Sequence, residues 1–135
     1  NLHDVAGIRV ICSYVQDIYM VADMLTSQNG ITLLEVKDYI ANPKPNGYRS
    51  LHLVVQIPVF FSDGCKLLKV EVQIRTIAMD FWASLEHQLK YKTEGDVPDS
   101  IAAELKDCSD VIANTDQRMQ NIYNTLKKDR PEKEN

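Results

Sequence analysis

Leu51-His52-Leu53-Val54-Val55-Gln56-Ile57, then Ser62-Asp63-Gly64, then Leu68-Lys69-Val70-Glu71-Val72-Gln73-Ile74-Arg75 decide how this chain folds. Successive side chains in a strand point to opposite faces. In the first run Leu51, Leu53, Val55 and Ile57 share one face, and His52, Val54 and Gln56 the other. In the second, Leu68, Val70, Val72 and Ile74 oppose Lys69, Glu71, Gln73 and Arg75. Ser-Asp-Gly between them is a turn signal. The pattern predicts an antiparallel hairpin, with strands over 50–57 and 67–75, whose apolar face belongs on a core. On its other face Glu71, Gln73 and Arg75 follow one another about 7 Å apart, two strand rises of ~3.4 Å. Such a face is either a solvated outer surface, common in antiparallel sheets, or the floor of a cleft.

The stretch just before the hairpin favours the cleft. Pro43, Lys44, Pro45, Asn46 and Gly47 exclude a helix and mark a tight turn. Tyr48, Arg49 and His52 follow at the mouth of the first strand. One aromatic ring and up to three cationic donors on a stiff support suit a planar base carrying phosphates. On the residues alone, a polar loop with a tyrosine lid over the core is an equal alternative.

Working outward, residues 5–12 (Val-Ala-Gly-Ile-Arg-Val-Ile-Cys) predict a strand rich in β-branched residues, with Asp4 at its mouth. Ser13 is placed to cap a helix over 14–27, whose face is Val15, Ile18, Ala22 and Leu25. Asn29-Gly30 ends it. A second strand is expected over 31–39. After the hairpin a helix is expected from Thr76 to Lys90, with a stripe of Ala78, Trp82, Leu85 and Leu89; Glu86 and His87 read as surface or packing residues. Gly95 to Pro98 is a break. Beyond it Ile101, Leu105, Cys108, Ile112, Thr115, Met119, Ile122 and Leu126 form a heptad seam with Thr115 as its weak position. A helix over 98–128 would be roughly 45 Å long. It must break, pack on the helix at 76–90, or pair with another subunit, and assembly into a dimer or tetramer is the expectation. Residues 129–135 read as a disordered tail.

Composition sets the outer limits. The chain has 135 residues, 44% hydrophobic and 25% charged, which suits one domain and one core. No run of ~18 apolar residues offers a membrane-spanning helix. Net charge is −4, balanced over 1–75 and acidic over 76–135, so a broad basic face for duplex nucleic acid is not expected. Cys12, Cys65 and Cys108 form neither a metal spacing nor a disulfide framework, which points to a reducing, cytoplasmic setting. The first residue is not Met and no signal-peptide pattern follows it, so the chain is expected to begin inside a longer protein.

Three segments in order carry a resemblance. They are Asp4-Val-Ala-Gly7-Ile-Arg9-Val, then Lys37 to His52 with its Pro43-Lys44-Pro45-Asn46-Gly47-Tyr48-Arg49-Ser50-Leu51 centre, then Glu71-Val-Gln73-Ile-Arg75-Thr76. Together they resemble the bacterial RelA/SpoT-type synthetases of the alarmones ppGpp and pppGpp, most of all the small stand-alone enzymes. The resemblance covers residues 2–90. It implies an α/β (α+β) fold, nucleotidyltransferase-like, with a mixed, largely antiparallel sheet and flanking helices. The catalytic core would span 1–92 and a helical extension 97–128.

The resemblance also implies a GTP pyrophosphokinase that moves the β,γ-pyrophosphate of ATP to the 3′-hydroxyl of GDP or GTP with Mg²⁺. Asp4 and Glu71 would be the catalytic carboxylates and metal ligands. Glu71 could also accept the hydroxyl proton. Tyr48 would stack on guanine, with Lys44, Asn46, Arg49, His52 and Gln73 around the same nucleotide. Arg9 and Arg75 would neutralise the moving pyrophosphoryl group, or pair with Asp4 or Glu71. Gly7 would allow close backbone approach or serve packing.

Two features depart from the family. Its basic ATP-binding stretch lies upstream of the Asp4 motif, before residue 1 of this sequence. Glu35-Val36-Lys37-Asp38 mixes the charge patterns linked to GDP or GTP preference. His3-Asp4 is a His-Asp dipeptide like that of the alarmone hydrolases, but His52 and His87 are the only other histidines, in unsuitable contexts. The competing expectation is a non-catalytic guanine-nucleotide or alarmone-binding oligomeric module, which would need neither Asp4 nor Glu71.

Overall fold

The structure, a computed structural model, describes residues 5–129. Asp4, the His3-Asp4 dipeptide and the tail from 130 lie outside the described residues. Four strands and three helices run in the order β1 (Val5–Cys12), α1 (Val15–Thr26), β2 (Thr32–Asp38), β3 (Leu51–Phe61), β4 (Gly64–Thr76), α2 (Ile77–Lys92) and α3 (Asp99–Asp129). The sheet order is β1-β4-β3-β2. β1 runs parallel to β4, whereas β2–β3 and β3–β4 are antiparallel. The mixed, largely antiparallel expectation therefore holds.

The hairpin is longer than its alternating centre. β3 and β4 stay paired from Leu51↔Ile74 out to Phe61↔Gly64. Leu51, Leu53, Val55, Val70, Val72 and Ile74 are buried and meet Ile18 and Ala22 of α1 in one core. The burial of these side chains fixes the register, because a one-residue slip would turn the apolar set outward.

α1 starts on Tyr14, whose side chain makes no capping bond, so the expected Ser13 cap is not used. A partner distant in sequence replaces it: the Gln16 amide donates to Gln120 Oε1 on α3 at 2.9 Å. α2 is capped as its sequence suggests, Thr76 Oγ1 accepting the Met79 amide at 3.1 Å.

α3 is unbroken over 31 residues. It lies on α2, where Trp82 Nε1 donates to the Leu105 carbonyl at 2.7 Å. Its inner line is Ser109, Asp116 and Gln120, all buried, flanked by half-buried Leu105 and Ile112. The heptad seam thus divides. Leu105 and Ile112 turn to the body, while Ile101, Met119, Ile122 and Leu126 are 43%, 44%, 53% and 58% exposed.

Candidate active site

The polar face of the sheet is built rung by rung. One rung crosses Lys37, His52, Gln73 and Arg9; the next crosses Glu35, Val54, Glu71 and Gly7. Residues paired across neighbouring strands point to the same side, so β1 to β4 present these groups on one floor. α1 fills the opposite face, and α2 walls the end of the floor where β4 runs into it.

Three adjoining hollows lie on this floor. Glu35, Lys37, His52, Glu71 and Gln73 border one of about 130 Å³. Gly7, Ile8, Arg9, Glu71 and Gln73 border a second of about 250 Å³. Arg9, Tyr48, Arg75, Glu86 and His87 border a third of about 400 Å³. Glu71 and Gln73 belong to the first two, and Arg9 joins the second to the third. A Cβ built on Gly7 would meet nothing within 4 Å, so its bareness keeps the floor open and packs against nothing.

Arg75 organises the third hollow. It is 6% exposed. Nη1 donates to Asp80 Oδ1 at 2.9 Å, and Nη2 to Gln73 Oε1 at 2.8 Å and to the Tyr48 hydroxyl at 2.7 Å. Arg9 Nη1 approaches the same Asp80 oxygen at 3.4 Å. Both arginines therefore lean on Asp80 of α2, not on Glu71. Gln73 accepts from Arg75. Among the described residues Glu71 enters no ion pair.

A hydrogen-bond relay leads on from Arg75. A guanidinium can only donate, so the Tyr48 oxygen accepts from Arg75, and the same hydroxyl hydrogen-bonds to His52 Nε2, 2.8 Å away. The His52 pKa is lowered, first by burial and then by the charges of Arg75, Lys44 and Lys37. Tyr39 closes an aromatic corner with its ring 6.0 Å from Tyr48 and 5.1 Å from His52. Lys44 Nζ lies 4.9 Å from the Tyr39 ring centre and 5.4 Å from that of Tyr48. Asn46 Oδ1 accepts the Tyr48 amide at 2.9 Å and so shapes the loop.

Arg49 does not join them. It faces α3, donating to the Ser109 carbonyl at 2.8 Å, to the Ser109 hydroxyl and to Asp110 at 3.3 Å. The structure does not bring it to the expected place beside the acceptor phosphates: Tyr48 turns to Arg75, whereas the guanidinium of Arg49 is held by α3. From sequence, Asp80 had no assigned role and His87 read as a surface or packing residue; His87 borders the third hollow. Asp80 had a signal, because it sits five residues after Arg75 in the first turn of the helix that β4 enters. Asp38, read with the preference-linked charges, is structural. It accepts the Ile40 and Ala41 amides and the Tyr19 hydroxyl, whose pKa burial and that carboxylate push up to about 12.

A family model described as a region found in RelA / SpoT proteins matches residues 1–96. The chain belongs to the RelA/SpoT family. GTP pyrophosphokinase YwaC of Bacillus subtilis is 48% identical over 122 residues, covering 90% of this chain and 58% of the relative. The crystal structure of small alarmone synthetase 2 from Bacillus subtilis superimposes with a TM-score of 0.86 at 47% identity, over 88% of this chain and 65% of that one. Small alarmone synthetase 1 from the same organism, bound to its product pppGpp, gives 0.83 at 41% identity over 87% and 61%. The chain thus spans somewhat over half the length of the curated relative. The RelA/SpoT match ends at residue 96, before α3 begins.

Proposed function

We propose that the protein is a (p)ppGpp synthetase transferring pyrophosphate from ATP to the 3′-hydroxyl of GDP or GTP. One observation carries this reading: Glu71 lies open on a floor shared with His52, Gln73 and Arg9, which continues into the hollow of Tyr48 and Arg75. The names of its RelA/SpoT relatives support it.

In the reaction the 3′-oxygen bonds to the β-phosphorus of ATP, the bond from that phosphorus to the α,β-bridging oxygen breaks, and AMP leaves. Glu71 takes the hydroxyl proton. The rings of Tyr48 and Tyr39 hold the guanine, and Lys44 and neutral His52 meet the acceptor phosphates. Arg9 and Arg75, fixed by Asp80, offset charge on the moving group. The donor set fits Mg²⁺, which is commonly held by one or two carboxylates plus substrate phosphates and water. Glu71 is one such carboxylate and Asp4 is the second proposed. Bound there, the ion would supply charge neutralisation on the ATP phosphates. The proposal extends to self-association through α3 and a cytoplasmic location, supported by the exposed seam and three free cysteines. No helix among the described residues is long and apolar enough to cross a membrane.

The test is to incubate the full-length protein with ATP, Mg²⁺ and GDP or GTP and to look for the guanosine tetra- or pentaphosphate. Glu71→Gln should cut turnover by roughly 10²–10⁴-fold while guanine-nucleotide binding stays near normal. Wild-type turnover in that variant would remove Glu71 as the base. Nucleotide binding by the wild type without product would favour the binding-module alternative.

A further inference from the structure

The loop that presents Tyr48 and Lys44 is shaped by its own bonds but positioned by α3. Internally, the Gly47 amide donates to the Lys44 carbonyl at 2.8 Å and the Lys44 amide to the Tyr48 carbonyl at 3.1 Å. At its far end, the Tyr39 amide ties the buried Ser50 to the sheet through the Ser50 carbonyl at 2.9 Å. The tip has another anchor. Ser109, 3% exposed in the middle of α3, donates its hydroxyl to the Gly47 carbonyl. The Ser109 hydroxyl oxygen in turn accepts from Arg49 Nη1, which also reaches the Ser109 carbonyl at 2.8 Å. Arg49 Nη2 then meets Asp110 at 3.3 Å.

Contact at the tip leaves no slack. Gly47 has φ +101°, and a Cβ there would lie 2.8 Å from Ser109 Cβ. A shift of α3 by a fraction of an ångström must therefore carry Gly47, and with it the neighbouring Tyr48. α3 is itself held to the end of β4 and to α2, through Thr76 Oγ1 to Asp116 at 2.6 Å and Trp82 to Leu105 at 2.7 Å.

We propose that Ser109 and Arg49 form a clamp through which α3 sets the position of the acceptor loop, making both positioning residues for the guanine nucleotide. The inference rests on the reading of Tyr48 and Lys44 as acceptor-binding groups. It makes α3 a control element: whatever packs on its outer face can alter acceptor affinity through Ser109, leaving the floor around Glu71 in place.

Steady-state kinetics of the full-length protein, with ATP and GDP varied separately, test it. Losing the clamp bonds in Ser109→Ala should raise the GDP KM about three- to tenfold, with kcat and the ATP KM within about twofold of wild type. Arg49→Lys keeps the charge beside Asp110 but loses the fork, and should raise the GDP KM by less. Calorimetric titration with GDP alone should show the same order of affinities. A purely structural defect would lower kcat and leave both KM values unmoved, and that result overturns the clamp. So does an unchanged GDP KM in both variants, or an equal rise for ATP and GDP. If the wild type makes no product, the functional reading fails and this inference with it. If only the variants' KM values fail to move, the functional reading stands.

Discussion

His52 is the residue whose protonation the cleft controls. Its ring is half-buried beside the Tyr48 hydroxyl, and a charge added to it would face Arg75, Lys44 and Lys37. The folded-state pKa is lowered from 6.5, with burial the largest cause. The unfolded chain therefore takes up this proton at a higher pH than the folded one. The resulting stability is fully present above about pH 6.5 and is lost as pH falls through the folded value. His52→Gln keeps an acceptor for Tyr48 but does not titrate. The wild-type melting temperature should fall relative to that of the variant as pH drops below about 6.5. Asp116 is raised by burial and contributes in the opposite sense, but it is common to both proteins and cancels in the difference. Parallel melting curves across that range would show that His52 is not held neutral. The placement of His52 was legible because it sits in a strictly alternating run. That of Arg49 was not, because it precedes the first residue of β3, where no period governs which way a side chain points.

The junction of β4, α2 and α3 meets at Thr76. This residue is 0% exposed; its hydroxyl accepts the Met79 amide and donates to Asp116 at 2.6 Å. Thr76→Ala removes an N-cap and leaves a buried carboxylate without its donor. The expected loss is about 1–3 kcal/mol, read as a lower melting temperature, whereas Thr76→Ser should restore most of it. Equal stability of the alanine variant would mean that water or another donor satisfies Asp116. At this scale the sequence spoke clearly wherever a period ran long enough: both hairpin strands and the presence of α2 and α3 were legible. Leu85 and Leu89 of the expected α2 stripe, however, are 41% and 38% exposed, and the pattern left the continuity of α3 open. The capping partner of α1 was not legible, although its start was, since the Gln16 amide is satisfied by Gln120, more than a hundred positions away. Nor could the α3 pattern alone tell which side meets the body, because its buried line is polar, with Ser109, Asp116 and Gln120 bonded to other elements.

For the whole molecule the open question is what covers the outer side of α3. A stripe of Met119, Ile122 and Leu126, each at least 44% exposed, runs along the half of the helix furthest from α2's contact at Leu105. Burying aliphatic side chains of this size contributes about 1.5–3 kcal/mol each, and a second copy of the same seam would supply a matching surface. Ile122→Glu combined with Leu126→Glu should lower the mass in solution, measured by sedimentation or light scattering, and leave secondary structure unchanged. Ile112→Asp should behave differently. Ile112 is half-buried in the hollow it shares with Gly47, Trp82 and Ser109, so its charge would strike the protein's own body and lower the melting temperature. If the double variant keeps the wild-type mass, the seam is not the assembly surface. If its mass falls and its affinity for GDP changes as well, outer-face packing on α3 is coupled to the acceptor loop through Ser109.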